Sequence, residues 1–323
     1  MLPKILIIWV VWTGLFYFNS CFACDFCTLY TGVLPQDRLN RLEFNHRFSR
    51  FRLFIPGNQF NPSGGAALKT GHQSHSTEQA IQDRTVTEDY RFVEIRYSFF
   101  PTQKIQVSLN LPWQNYRETD GVNSRERNGF GDLTAFAQYG ILLKDRPNTS
   151  IRWFAGAGAR IPTGWYYRNP IRYAEYFFEQ GGRGSTGFML LTTFNYRINR
   201  VGVSSAINWN WLTPRSFQYK PGSILNISQY FFALLNLPKG KIRLVPAWNF
   251  YAEFTEANLY RGYSVSNTGG ISFLSGPDVS LYFGSWMLRS GLQLPIIEKL
   301  NGIQPKNGVR VQIGLAWNFG QEK

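Results

Sequence analysis

From residue 41 to residue 319 one pattern recurs: apolar and polar positions alternate with a period of two. Val201, Val203, Ser205, Ile207, Trp209 and Trp211 alternate with Gly202, Ser204, Ala206, Asn208 and Asn210. A helix would scatter these over its circumference, whereas a strand gathers one set on each face. The same alternation runs through residues 93–99, 105–113, 153–161 and 242–250, and is cleanest at 309–319. These runs reach about ten residues, against roughly five or six for an ordinary globular strand. About ten residues is the length that crosses a bilayer as a tilted strand.

About twelve such segments are predicted, near 41–54, 89–100, 104–116, 131–144, 149–162, 186–198, 201–212, 223–235, 241–254, 271–283, 286–295 and 308–319. The gaps alternate too. Those at 55–88, 117–130, 163–185, 213–222, 255–270 and 296–307 are long and polar, while the others are short. Long loops at one rim and tight turns at the other are the build of an outer-membrane barrel. In hydrocarbon no water satisfies an edge strand, so the sheet is expected to close, the segment starting near Leu42 pairing with the one ending at Phe319. The predicted fold is all-β: a single up-and-down antiparallel transmembrane β-barrel in a bacterial outer membrane, both termini in the periplasm. Trp113, Trp209, Trp211, Trp248, Trp286 and Trp317 lie near segment ends, where aromatic girdles meet the headgroups.

Composition narrows the alternatives. Aromatic residues make up 17% of the 323, and charged residues also 17%, below the roughly 25% of soluble domains. Past residue 20 no apolar run approaches the roughly 20 residues of a spanning helix, which excludes a helical transporter. Residues 1–23 read as a secretory signal peptide: Lys4 first, an apolar stretch from Ile5 to Phe18, then small residues before the cleavage site. Residues 24–40 then form a periplasmic segment and 41–319 the barrel. The formal net charge of +14 is spread along the chain, so it points to anionic lipopolysaccharide or a basic lumen and not to nucleic acid.

Taking the polar face of each segment as inward lines the lumen with Glu43, Arg47, Glu94, Arg96, Arg152, Arg160, Arg197, Arg243 and Arg310. Seven arginines against two glutamates would favour anionic solutes, as basic rings do in anion channels. The competing reading is a structural ion network that fills a narrow lumen.

Several stretches resemble a known family. They are Leu109-Asn110-Leu111-Pro112-Trp113, GFGDLTAFAQYG at 129–140, ARIPTG at 159–164 and GGRGSTGFMLLTTFNYR at 181–197. Together they resemble the outer-membrane transporters grouped with the phenol-degradation meta-pathway barrels, relatives of the long-chain fatty-acid channels. ACDFC at 23–27, followed by RLEFNHRFSRF at 41–51, resembles a Bacteroidetes-type branch that opens with Cys-Asp-x-Cys. The resemblance implies a barrel and uptake of small, often hydrophobic molecules. It brings no catalytic residues. The strand count is nearer twelve than the fatty-acid channel's, and no N-terminal hatch is evident. Trp317-Asn318-Phe319 resembles the terminal signature read by the barrel-assembly machinery.

Cys24 and Cys27 offer a disulfide, half of a soft-metal site or an acylation point. His72-Gln73-Ser74-His75 lies in the longest loop, with no strand to hold a catalytic base in place. No motif calls for a cofactor or for catalysis. The expected function is therefore passive transport of small molecules, not enzymatic. The alternatives are a structural barrel whose Cys-x-x-Cys tail docks a periplasmic redox or metal-handling partner, and, third, an outer-membrane hydrolase.

Overall fold

A computed structural model describes residues 39–55, 84–120, 123–168, 180–214, 219–237 and 242–320. The predicted signal peptide, the segment carrying Cys24 and Cys27, and His72 and His75 lie outside the described residues. Twelve antiparallel strands form the wall. They are β1 (Asn40–Ile55), β2 (Arg84–Thr102), β3 (Ile105–Thr119), β4 (Leu133–Arg146), β5 (Thr149–Ile161) and β6 (Gly187–Ile198). They continue with β7 (Val201–Leu212), β8 (Ile224–Ala233), β9 (Ile242–Thr255), β10 (Gly270–Phe283), β11 (Trp286–Leu300) and β12 (Lys306–Phe319). Each pairs with its neighbours in chain order, and β1 closes on β12. The seam runs from Asn40 opposite Phe319 through Leu42 opposite Trp317 to Ser49 opposite Arg310, then passes a bulge. Both ends of the described chain thus lie at the short-turn rim.

The alternation sorts the two faces as expected. Phe44, Leu288 and Leu315 share one outward row, and Val93, Trp113 and Phe130 another. Inward positions carry Glu43, Arg96, Ser108, Asn110, Gln138, Ser204 and Asn210, all buried. Where a large inward side chain lies over a neighbouring strand, the position beneath it is small: a Cβ at Gly202 would stand 2.5 Å from the Phe232 ring. Large and small residues alternate in this way to fill a narrow barrel. At the short-turn rim Asn199 takes a left-handed φ of 51°, which the tight β6–β7 turn requires and which asparagine tolerates.

Three sequence expectations change. β2 starts at Arg84 and β11 runs to Leu300, both beyond the predicted bounds. The expected loop at 117–130 contains a strand, Ser124–Phe130, that pairs with the outer part of β3. Beyond the apolar band both faces of a strand meet water, so SRERNGF shows no alternation to read. Trp248 sits in the middle of β9, not at a rim, and its indole N–H donates to Ser275 Oγ at 2.8 Å. A satisfied N–H lets an indole sit away from the headgroups. Trp286, Trp317, Phe319 and Tyr97 do form an aromatic chain at the short-turn rim, with centroids 4.8 to 6.4 Å apart.

Leu315 faces outward between Phe44 and Leu288. Leu315→Arg, one outward step in from the rim aromatics, should cost about 1–2 kcal/mol of barrel stability, read from urea unfolding in lipid vesicles. The same substitution at Lys144, exposed near the short-turn rim, should leave stability unchanged.

Candidate permeation pathway

The lumen carries charge at two levels. Nearer the short-turn rim, Arg96 Nη2 donates to Glu94 at 2.7 Å and Nη1 lies 3.7 Å from Glu43. Across the same region Arg289 donates to Asp278 at 2.8 and 3.2 Å, and Gln312 Nε2 donates to the same carboxylate at 3.1 Å. The Arg289 guanidinium also reaches the Tyr230 hydroxyl at 3.3 Å, from β11 to β8. Arg41 and Arg289 both lie near enough to act on the charge of Glu43. Nearer the long-loop rim, Arg310 lies 3.7 Å from Glu253 and between the rings of Phe51 and Tyr251, on β1 and β9. The Tyr251 hydroxyl stands 2.9 Å from Glu253 and 2.7 Å from Asn226.

Arg96 pairs within β2 and with the adjoining β1, and Arg289 meets Asp278 on the adjoining β10, whereas Arg289 to Tyr230, Gln312 to Asp278 and Arg310 to Glu253 join strands that are not neighbours in the sheet. An arginine reaches across because its long stem spans the gap and its planar head bonds in several directions. A charge taken from water needs such partners, because unpaired it would cost several kcal/mol. Apolar side chains fill the spaces between: Phe51, Tyr90, Phe92 and Tyr116 toward the long-loop rim, Tyr230, Phe232 and Val245 toward the other. The wall from β3 to β7 is different. Between Arg160 at its long-loop end and Arg152 and Arg197 at the short-turn rim it presents Gln106, Asn110, Thr134, Gln138, Thr193 and Asn208, which are polar but uncharged, beside the apolar cluster of Phe136, Met189 and Leu191.

The sequence-predicted lining divides into two groups. Glu43, Glu94, Arg96, Arg160 and Arg310 are buried within the barrel, and Arg47 stacks 4.8 Å over Phe92. Arg152, Arg197 and Arg243 sit at the short-turn rim, bonded to Asp145, the carbonyl of Asn199 and Asn236. Asp278, Glu253 and Arg289 were missed. Their signal was present, since Met287, Arg289, Gly291 and Gln293 alternate with Trp286, Leu288, Ser290 and Leu292. Segment 271–283 is bulged against β11 near Phe273, which blurs the alternation that would have placed Asp278 inward. With these acids included, the lumen is of mixed charge and not simply basic.

At the long-loop rim three of the family-like motifs converge on Asp132. Its Oδ1 accepts the Gly164 N–H at 3.0 Å and its Oδ2 the Arg183 N–H at 2.8 Å. A Cβ on Gly182 would stand 2.6 Å from that carboxylate and 2.7 Å from the Gly164 backbone. GFGD, PTG and GGRG are thus one device that ties the loop after β5 to the start of β4. Burial pushes the Asp132 carboxyl up from its ordinary value, against the pull of Arg160 and of the two backbone N–H groups.

No known protein family matches the chain, and no curated protein does. Among solved structures the fold is similar to an outer membrane channel from Pseudomonas putida F1, at 12% identity and a TM-score of 0.59, covering 89% of this chain and all of that one. It is also similar to the β domain of the Bordetella autotransporter BrkA (9% identity, TM-score 0.46, 86% and 99% covered). A third is the NanC porin (8% identity, TM-score 0.42, 84% and 100% covered). The chain has the closed β-barrel fold of the Pseudomonas putida outer membrane channel.

Two measurements test the site. Asp278→Ala strands the Arg289 charge and should cost about 3–5 kcal/mol; adding Arg289→Met should recover most of it in the same unfolding assay. Asp132→Ala leaves two buried N–H groups without their acceptor. It should speed proteolytic cleavage in residues 162–186 several-fold while the barrel itself stays resistant.

Proposed function

We propose that this barrel resides in the outer membrane as a passive channel for small molecules, its long loops outside the cell and its short turns and termini in the periplasm. The observation that carries the reading is the inward face. A barrel built only to be stable would gain by filling its centre with apolar side chains, since replacing a buried ion pair by packed hydrophobic residues is often neutral or stabilising. Here arginines, carboxylates and amides occupy much of it, beside the apolar clusters. The likeness of the fold to the Pseudomonas putida channel supports the same reading.

In this reading Glu43, Arg47, Glu94, Arg96, Arg160 and Arg310 set selectivity inside the barrel, and Arg152, Arg197 and Arg243 form a basic periplasmic exit. The ion pairs join β1 to β2, β10 to β11 and β9 to β12, and hold one side of the lumen. Solute passes along the amide- and hydroxyl-bearing middle of β3–β7, where short polar side chains can exchange hydrogen bonds with it. The mechanism is diffusion, without catalysis or cofactor. Insertion would depend on the barrel-assembly machinery reading the β12 terminus.

A second reading follows from the same contacts. Bridges between non-neighbouring strands also suit a closed, structural barrel. Planar-bilayer recording separates the two. Purified protein should conduct, and Arg96→Gln with Arg310→Gln should reduce anion over cation preference at least about twofold. If neither protein passes current, and liposomes containing them do not swell in small sugars or amino acids, the barrel is structural.

A further inference from the structure

The outer surface is uneven in charge. On one side, near the long-loop rim, outward positions of β12, β1, β2 and β3 carry Lys306, Arg50, Arg52, Arg91 and Arg117. Arg52 pairs in register with Lys306, and Arg50 with Asp89, which pairs in turn with Arg117. Arg91 lies one outward step nearer the membrane centre, opposite Phe48 and Asn115. Asp89 bonds Arg50 at 2.7 Å and Glu126 bonds Arg117 at 2.8 Å. No acid bonds Arg52, Arg91 or Lys306 among the described residues, so the patch keeps a net positive charge. The long-loop ends of β5 to β9 instead present Ile161, Phe188, Trp211, Leu225 and Phe254 outward. The basic residues therefore mark one sector and not a general girdle.

Directly below the cations the same strands turn apolar. Val93, Trp113 and Phe130 lie side by side in register, and Phe130 is 60% exposed. Cations above and a wide greasy surface below form an amphipathic slot on the barrel's exterior. In hydrocarbon an outward arginine is costly, so these side chains must sit at the headgroup level, where fixed anions stabilise them.

We infer that this sector is a binding site for a phosphorylated glycolipid of the outer leaflet, the lipid A part of lipopolysaccharide. Its phosphates would lie on Arg52, Arg91 and Lys306, with Arg50 and Arg117 beside them, and its acyl chains against Val93, Trp113 and Phe130. The inference rests on the orientation given above, with the long loops outside the cell, but not on conduction.

The test is a titration of lipid A into the full-length protein in neutral detergent with EDTA present, read by native mass spectrometry. EDTA removes divalent ions that could bridge phosphates to carboxylates. Arg52→Gln/Arg91→Gln/Lys306→Gln should bind lipid A at least about tenfold more weakly. Lys144→Gln/Arg146→Gln, at the other rim, should bind like the unaltered protein, and dephosphorylated lipid A should bind the unaltered protein at least about tenfold more weakly than lipid A. The heat-dependent gel shift of a folded barrel verifies each variant, and an Arg52→Lys/Arg91→Lys protein should retain binding. Equal binding by the triple glutamine variant, equal affinity for the dephosphorylated lipid, or a change of oligomeric state in place of lipid loss would overturn the site. Conductance of the triple variant should equal that of the unaltered protein, so a failed lipid site and a failed channel give different results.

Discussion

The pairing of β1 with β12 is the constraint on which everything else depends. Within hydrocarbon an unpaired N–H or C=O has no water to turn to and costs several kcal/mol, so an open sheet has no stable place there. The seam from Asn40 opposite Phe319 to Ser49 opposite Arg310 removes that last edge. Once the sheet is closed, side chains have only two destinations, the lipid and the lumen. The period of two then decides between them residue by residue.

Closure also explains how the lumen can afford charge. Arg96, Arg289 and Arg310 are held by carboxylates on the inner wall and by aromatic rings between them. Arg289 and Arg310 each reach a strand that is not a neighbour, β8 and β9, and so tie together strands that share no backbone hydrogen bonds. These contacts concentrate charge on the side of β8–β12, β1 and β2, and leave amides and hydroxyls to line the middle of β3–β7.

The Asp132 cluster shows a different economy. Three glycine-bearing stretches far apart in sequence meet at one carboxylate, and the close approach of Gly164 and Gly182 leaves no room for side chains. A loop secured in this way sits at the mouth without needing an apolar core of its own. Its motifs were visible as a family resemblance, but their purpose is local: backbone N–H groups that would otherwise be buried without acceptors find one.

The alternation in the sequence carried the all-β barrel, a count of about twelve strands, the closure of first on last and the inward parity of Glu43, Glu94, Arg96 and Arg310, because side-chain direction in a strand follows from the backbone alone. Height and partner were not legible. Arg152, Arg197 and Arg243 share the inward parity of Arg96 yet lie at the rim, and Trp248 has the right parity for a girdle but sits mid-strand. Arg289 and Asp278 meet across a single hairpin, but Arg289 reached Tyr230, and Glu253 reached Arg310, only when strands remote in sequence were brought face to face. Parity is a local property of the chain, whereas depth and cross-lumen contact depend on register, strand tilt and closure, which belong to the assembled sheet.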